Sequence, residues 1–229
     1  MKPKMILLIA AISIMASSLA PAVILAQYNF ASGVVTSSDP AGDGGSGNFS
    51  VNNGSTVGGG AGFSGSTHMA FFRSDGLTAS EMDAVAAPDY FSFTYTPDAG
   101  SYQLTSLTLL FGGSSNTDAN GTFTSHVSLR SDAEAVDYSS VLGSSSKVIG
   151  NADADNHLDA VSFDLSGFAE LQNITAPVTF RLYVYAENAG LSSEILRMDD
   201  VVLNGNLVPE PSVAVLGALA AFGLIRRRR

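Results

Sequence analysis

The chain has 229 residues, and its 21 acidic residues outnumber its 11 basic ones to give a formal net charge of −10 at pH 7. Such an acidic surface repels phosphate backbones, which excludes nucleic acid as an expected partner. The sequence contains no cysteine, which excludes disulfides, cysteine–zinc sites and catalysis by a thiol. It contains no tryptophan either, so large aromatic contacts must come from tyrosine or phenylalanine.

The N-terminus has the features of a secretory signal peptide. Lys2 and Lys4 form a short basic region, and Met5–Leu19 is an almost uninterrupted apolar stretch that small residues follow. This order predicts export, with the export machinery and signal peptidase as partners. We expect cleavage after Ala26. Cleavage after Ala22 and retention as an uncleaved anchor are the alternatives.

The signal peptide therefore occupies residues 1–26, and residues 27–207 have the length of one domain. The domain carries twenty acidic and five basic residues, a net charge near −15. It consists of short apolar or alternating segments between clusters of Gly, Ser, Asn and Asp, which predicts an all-β, antiparallel β-sandwich. Residues 27–88 are rich in Gly and Ser. Within them, Gly42–Gly65 predicts a long loop or two weak edge strands that include Asn48–Val51.

Six later segments have the alternation, or the aromatic and β-branched composition, of strands. In the fifth of them, Phe180 and Leu182 share one face, which is expected in the core. Arg181 and Tyr183 share the opposite face. The six segments are Tyr90–Thr96, Tyr102–Phe111, Phe123–Arg130, Leu158–Leu165, Val178–Ala186 and Ile195–Leu203.

Two segments predict local structure other than strand. Thr78-Ala79-Ser80-Glu81 has the pattern of a capping box and predicts a short helix that Pro88 limits. Ser144-Ser145-Ser146-Lys147 matches the S-x-x-K of penicillin-recognising enzymes, but their S-D-N and K-T-G elements do not occur in the sequence. We therefore interpret this segment as a serine-rich turn.

Two acidic segments are candidate calcium sites, because closely spaced carboxylates suit a hard cation. The first is Asp153–Asp159, for which a solvated acidic turn is the alternative. The second is the pair at residues 199 and 200, although only one of two neighbouring side chains can face outward unless the strand has a bulge. We expect that the protein requires no cofactor, and a structural Ca²⁺ ion is the one candidate. The candidate ligands are Asp153, Asp155, Asp159, Asp199 and Asp200.

The sequence predicts no catalytic residue. His68, His126 and His157 are too dispersed to indicate a zinc site, and we expect them in loops or on strand surfaces. Glycoside hydrolysis needs two carboxylates roughly 5–10 Å apart, and among twenty acidic residues the sequence selects no pair. We therefore expect a protein that is not an enzyme.

The C-terminus combines a short polar motif, an apolar run and a basic end. The motif occupies residues 208–211, the apolar run is Val213–Ile225, and four arginines follow. These thirteen apolar residues would span roughly 20 Å as a helix, short of the roughly 30 Å hydrocarbon core of a bilayer. The arginines do not enter that core readily, so they predict a stop on the cytoplasmic side with the main domain outside. The C-terminus therefore predicts a short transmembrane helix.

This combination resembles the PEP-CTERM sorting signal of exported proteins in Gram-negative-type bacteria that make extracellular polysaccharide. The resemblance implies recognition by an exosortase, an integral-membrane transpeptidase-like enzyme that cleaves at or near the motif. The precursor would be anchored in the inner membrane, and the product would reach the cell surface or the extracellular matrix. The sorting motif is Val208, Pro209, Glu210 and Pro211, and the stop-transfer residues are Arg226, Arg227, Arg228 and Arg229.

The series of strands also resembles a known class of domain. It runs from Asp89–Thr94 through Leu104–Leu110, Val127–Ser131, Phe163–Leu165 and Thr179–Tyr185 to Arg197–Val201. This series is similar to the jelly-roll domains that precede PEP-CTERM tails, which themselves resemble galactose-binding-like and carbohydrate-binding-module sandwiches. The resemblance implies a jelly roll more than it implies a particular activity.

These features lead to one functional hypothesis and two alternatives. The hypothesis is a non-enzymatic exported protein of the cell surface or matrix, with extracellular polysaccharide as its partner at a sandwich face or loop rim. The first alternative is a secreted glycan-active hydrolase, for which no catalytic module is visible. The second is a structural matrix component without a specific ligand.

Overall fold

The structure is a computed structural model of the chain. It describes residues 22–30, 36–38, 44–52, 70–73, 80, 86, 89–115, 122–135, 137–150, 157–187 and 194–208. These residues form eleven strands and a 3-10 helix, Ala169–Leu171, between the ninth and tenth strands. The strands are β1 Val23–Tyr28, β2 Gly44–Ser46, β3 Ser50–Asn52, β4 Ala70–Arg73, β5 Tyr90–Pro97, β6 Ser101–Ser115, β7 Phe123–Ser131, β8 Val141–Ile149, β9 His157–Asp164, β10 Val178–Glu187 and β11 Glu194–Val208.

The strands pair into two antiparallel sheets. Sheet A has the order β1-β11-β6-β9, and β4 also pairs with β11. Sheet B has the order β2-β5-β10-β7-β8, and β3 also pairs with β5. The predicted all-β, antiparallel sandwich is confirmed in this arrangement.

Alternation along the strands builds the core between the sheets. Phe180 and Leu182 of β10 are fully buried, and they belong to one apolar cluster that draws on both sheets. At one end of this cluster, the Tyr28 ring of β1 lies 5.2 Å from the rings of both Phe49 and Phe93. Each apolar side chain of this size contributes about 1.5–3 kcal/mol by leaving water. The two sheets are therefore held together mainly by apolar burial.

The strands β8 and β9 close one side of the sandwich across the two sheets. A Cβ atom at Gly143 of β8 would lie only 2.6 Å from the Phe163 ring of β9, so the absence of a side chain permits this close approach. In the same strands, Nζ of Lys147 lies 2.5 Å from Oδ2 of Asp159. An ion pair therefore also joins the two sheets, four residues along each strand from the glycine–phenylalanine contact.

The six predicted strands correspond to β5, β6, β7, β9, β10 and β11. The two weak edge strands expected within Gly42–Gly65 are β2 and β3, which both pair with β5. The predicted serine-rich turn is wrong, because Ser144–Lys147 lies inside β8 and pairs with β7. This edge strand buries only Leu142 and Ile149 near its two ends, so it lacks the apolar alternation that marks the other strands.

Several predicted segments lie outside the described residues. They include the helix after Thr78, except at Ser80 and Ala86, and the whole tail after Val208. Within the parts of the chain that the structure describes, no helix is long and apolar enough to cross a bilayer. The strand β1 begins at Val23, inside the segment that the sequence assigns to the signal peptide.

Candidate functional site

The side of sheet B that faces away from the core concentrates aromatic, cationic and hydroxyl side chains, which range from buried, as at Tyr183, to exposed, as at Ser144. Strand register aligns them in three rows across β5, β10, β7 and β8. The central row is Tyr90, Tyr183, Ser128 and Ser144, and the rows on either side contain Arg181 with Arg130, and Tyr185 with His126 and Ser146. We call these nine residues, together with the adjoining Tyr138, the platform.

Arg181 lies at the centre of the aromatic part of the platform. Its guanidinium carbon is 3.7 Å from the centroid of the Tyr138 ring and 4.4 Å from that of the Tyr90 ring. Its Nη1 donates a hydrogen bond of 3.2 Å to the hydroxyl of Tyr183. Cation–π contacts of this kind fix a guanidinium in place. In the described part of the chain, no carboxylate forms an ion pair with Arg181, and the side chains that hold its guanidinium are tyrosines.

Arg130 holds the turn that carries Tyr138. Its side chain is buried, and its Nη1 donates hydrogen bonds of 2.8 and 3.0 Å to the carbonyl oxygens of Tyr138 and Ser139. Tyr138 has a φ of 57°, in the left-handed region that few non-glycine residues occupy. Asp137 stabilises the same turn, since its carboxylate accepts a hydrogen bond from the amide of Ser139. The turn places Tyr138 against Arg181, and Arg130 therefore acts as a positioning residue.

A small cleft lies beside the aromatic cluster. The rings of His126 and Tyr185 stack with centroids 4.3 Å apart and planes only 3° from parallel. Nε2 of His126 lies 3.5 Å from a carboxylate oxygen of Glu187. The cleft has a volume of about 170 Å³ and combines flat rings with hydroxyl groups that donate and accept hydrogen bonds. Its lining residues are His126, Val127, Ser128, Ser144, Ser145, Ser146 and Tyr185.

The predicted calcium ligands Asp199 and Asp200 lie at a bulge in β11. The register with β6 shifts between Asp199 and Val202, and Asp200 has a φ of 47°. The strict alternation that would separate the two carboxylates is therefore broken here. Burial raises the pKa of Asp199 to about 6, and the charge of Asp200 adds to this rise while the hydrogen bond from the Asp200 amide opposes it. Asp200 lines an open concavity of about 420 Å³ on the outer face of sheet A.

The structure does not bring the remaining predicted ligands to this bulge. Asp159 forms the ion pair with Lys147 at the β8–β9 edge, and Asp153 and Asp155 lie outside the described residues. Among the residues that are described, no group of three or more His, Asp or Glu side chains is arranged to hold a metal ion. Calcium binding therefore stays a prediction.

Two glutamates form a close carboxyl pair at a loop edge. Glu134 follows β7, and Glu170 belongs to the 3-10 helix. Burial, followed by a hydrogen bond with Glu170 and its negative charge, raises the pKa of Glu134. The negative charge of Glu170 therefore disfavours ionisation of Glu134.

Sequence reasoning identified one part of the platform and missed the rest. It placed Arg181 and Tyr183 on the face opposite Phe180, and their positions confirm this. It expected His126 only on a strand surface or loop, and it gave no role to Tyr138 or Tyr185. The tyrosines that alternate along β10 were a usable signal, whereas the turn that carries Tyr138 left no mark in the strand pattern.

No protein-family model matches the chain, and no curated protein matches it either. The fold has likenesses among solved structures. The K3 adhesin domain of Lys-gingipain from Porphyromonas gingivalis aligns with 79% of this chain and 99% of its own, at 14% identity and a TM-score of 0.44.

Two carbohydrate-binding modules give similar values. The CBM27-1 module of Caldicellulosiruptor saccharolyticus, solved with mannohexaose, aligns with 79% of this chain and 95% of its own, at 11% identity and a TM-score of 0.41. The xylan-binding module CBM15 aligns with 83% of this chain and 99% of its own, at 12% identity and a TM-score of 0.33. At these identities and TM-scores, the likenesses carry no argument about what the present chain binds.

Proposed function

We propose that this chain is an exported, non-enzymatic protein of the cell surface or extracellular matrix that binds glycan on the platform of sheet B. The observation that carries the proposal is the guanidinium of Arg181, held against the rings of Tyr90 and Tyr138 on the outer face of sheet B. In this proposal the two-sheet sandwich is a jelly roll, as the sequence resemblance implies.

The platform offers the two kinds of contact that a sugar needs. A pyranose ring presents C–H groups on its faces and hydroxyls around its edge, so its site must combine flat apolar surfaces with hydrogen-bonding groups. The stacked rings of His126 and Tyr185 are half-buried, and Ser144 and Ser146 beside them are exposed. Arg181 adds N–H donors whose planar geometry is fixed. Both contact types are therefore available within adjacent rows of one sheet.

The charge of the domain favours a neutral glycan. Residues 27–207 carry a net charge near −15, which repels polyanions from the surface as a whole. The cations of the platform act only locally, because the Debye length at physiological ionic strength is about 8 Å. Neutral hexose or pentose chains do not meet this repulsion and are the expected class of ligand.

Calorimetric titration of the released protein with neutral hexasaccharides of glucose, mannose and xylose tests the proposal. We expect at least one of them to bind, and we expect Tyr185→Ala to weaken that binding at least about tenfold, since loss of a stacked ring contact costs on the order of 1.5 kcal/mol. Thr108→Ala is the control, because Thr108 lies on the outer face of sheet A. Equal losses of glycan affinity in the two variants would show that the platform is not the binding surface.

The same preparation separates the alternatives. Release of reducing sugar from the oligosaccharide, measured in parallel, would establish the hydrolase instead. Neither binding nor release across the three hexasaccharides and an acidic polysaccharide would favour a structural matrix component without a specific ligand.

Sorting through an exosortase belongs to the same proposal and rests on the sequence of the tail. The double substitution Pro209→Ala with Glu210→Ala is expected to leave export intact and to retain the full-length protein in the inner membrane. Immunoblots of membrane and released fractions measure this. Wild-type release of the double variant would count against exosortase sorting while leaving glycan binding untouched.

A further inference from the structure

The first described strand, β1, is an integral part of sheet A. It pairs along its length with β11, from Val23 opposite Gly205 to Tyr28 opposite Val201. Leu25 and Ala26 within it are fully buried, and both belong to the central apolar cluster. The segment Val23–Ala26 therefore contributes backbone pairing and core packing together.

A glycine in the opposite strand leaves space for this segment. A Cβ atom at Gly205 would lie 2.6 Å from Cδ1 of Leu25, so any larger residue in β11 would displace the leucine. The pairing of β1 shifts between Ile24 and Ala26, which makes Leu25 the extra residue of a bulge. Its side chain occupies the space above Gly205. The two strands are thus fitted to each other at residue 25.

Cleavage after Ala26 would remove this fit. The mature chain would lose Val23–Ala26, leaving a cavity where Leu25 packs and unpaired backbone groups along the adjoining edge of β11. Cleavage after Ala22 would leave β1 complete. Signal peptidase cuts the exported chain before it folds, so burial of a bond in the folded structure does not protect that bond. The two cleavage sites are therefore compared by the stability of the mature chain that each one would produce.

The residues that precede each bond also favour cleavage after Ala22. Signal-peptide cleavage sites typically have small side chains at the first and third positions before the cut, as in A-x-A. Ala20 and Ala22 match this pattern for the bond that precedes Val23. For the bond after Ala26, the third position is Ile24, which is large and β-branched.

We infer that signal peptidase cleaves the bond between Ala22 and Val23, so that the mature protein begins with β1 intact. Water adds across this peptide bond, which leaves a carboxyl group on Ala22 and an amino group on Val23. The inference rests on the proposed export of the chain, and it replaces Ala26 as the expected cleavage site.

Expression of the full-length chain in a Gram-negative host, followed by mass spectrometry of the released protein, tests the inference. We expect Val23 as the first residue. Gln27 as the first residue would overturn the inference while leaving export in place. A chain that retains Met1 and stays inside the cell would overturn the proposed export together with the inference.

A substitution gives an independent readout in the same preparation. Leu25→Ala is expected to lower the melting temperature of the released protein by about 5–15 °C, because a buried leucine is truncated in a domain of this size. Leu207→Ala is the matched control, since Leu207 is 46% exposed. If residue 25 were removed by processing, Leu25→Ala would melt with the wild type, which would also contradict the inference.

Discussion

The outer faces of the two sheets carry different chemistry although the same alternation produces both. The face of sheet B carries the platform, with four tyrosines, two arginines and a histidine. The described concavity on the face of sheet A is lined by aliphatic residues such as Leu110 and Val202 and by uncharged polar residues such as Gln27, with one carboxylate from Asp200. Since the domain is strongly acidic, the concentration of cations and rings on one sheet is the feature that distinguishes the outer face of sheet B from that of sheet A.

The largest effect is expected where the platform and the core meet on one strand. Phe180 is fully buried and its ring lies 5.3 Å from that of Phe93, whereas Arg181 beside it faces solvent. Phe180→Asp should lower the free energy of unfolding by more than about 4 kcal/mol, because it removes a ring and buries a charge. Arg181→Ser should lower it by about 1 kcal/mol. Urea unfolding of the released protein measures both free energies. Equal losses would contradict the assignment of Phe180 to the core face and Arg181 to the outer face.

Calcium tests whether the face of sheet A has a ligand of its own. If Asp199 and Asp200 hold Ca²⁺, a hundredfold excess over its dissociation constant should stabilise the folded state by about 2.7 kcal/mol. Millimolar Ca²⁺ should then raise the melting temperature more than sodium chloride at matched ionic strength, which supplies only screening.

Three variants locate the calcium effect. Joint replacement of Asp199 and Asp200 by Asn should remove the calcium-specific part, and Asp98→Asn, at an exposed carboxylate, should not. Loss of the effect with Asp153→Asn instead would move the site to Asp153–Asp159. Identical shifts with Ca²⁺ and Na⁺ in the wild type would leave both segments as ordinary acidic turns.

Arg130 and Arg181 pair across two strands of the platform, yet they should respond differently to truncation. Arg130→Ala removes two charge-assisted hydrogen bonds to the turn at Tyr138, which should lower the free energy of unfolding by about 2 kcal/mol. It should also weaken glycan binding, because the turn no longer fixes Tyr138. Arg181→Ala should weaken binding at least as much with a smaller loss of stability. Unfolding and calorimetric titration of both variants measure the contrast, and a reversed order would contradict the positioning role of Arg130.

The sequence predicts the sheets better than it predicts the platform, for physical reasons. Segments such as Val178–Ala186 alternate because one side chain in two is buried, and this signal is local. The strand β8 lacks it, because an edge strand with exposed Ser144 and Ser146 buries little. The strand β1 was assigned to the signal peptide, because its apolar residues directly follow the apolar stretch.

The platform depends on information that no single segment contains. Its rows are set by the register of four strands, of which only β7 and β8 are consecutive in the chain. Tyr138 reaches Arg181 only through a left-handed turn. Similarly, the rule that separates neighbouring carboxylates holds for a regular strand and fails at the bulge that contains Asp199. Register and bulges arise from packing between strands, so they follow from the whole fold.

The smallest expected effect is a pH dependence at that bulge. Burial raises the pKa of Asp199 from 3.8 to about 6 in the folded state. Between these pH values the folded protein keeps a proton that the unfolded chain releases, so stability is full below about pH 4 and is lost as the pH rises through 6. A shift of this size would correspond to about 3 kcal/mol, and partial exposure of the carboxyl group reduces it to about 1 kcal/mol.

Urea unfolding at pH 3, 4.5, 5.5 and 7 checks this dependence against two variants. Asp199→Asn should lack the decline. Asp164→Asn is a control of opposite sign, because hydrogen bonds from the hydroxyl and then the amide of Ser166 hold the pKa of Asp164 below its usual value. The contribution of Asp164 is therefore present at neutral pH and disappears on acidification. If the stability of the wild type and of Asp199→Asn changed in parallel with pH, the carboxylate of Asp199 would be fully hydrated. The face of sheet A would then have no acidic group with a raised pKa at this bulge.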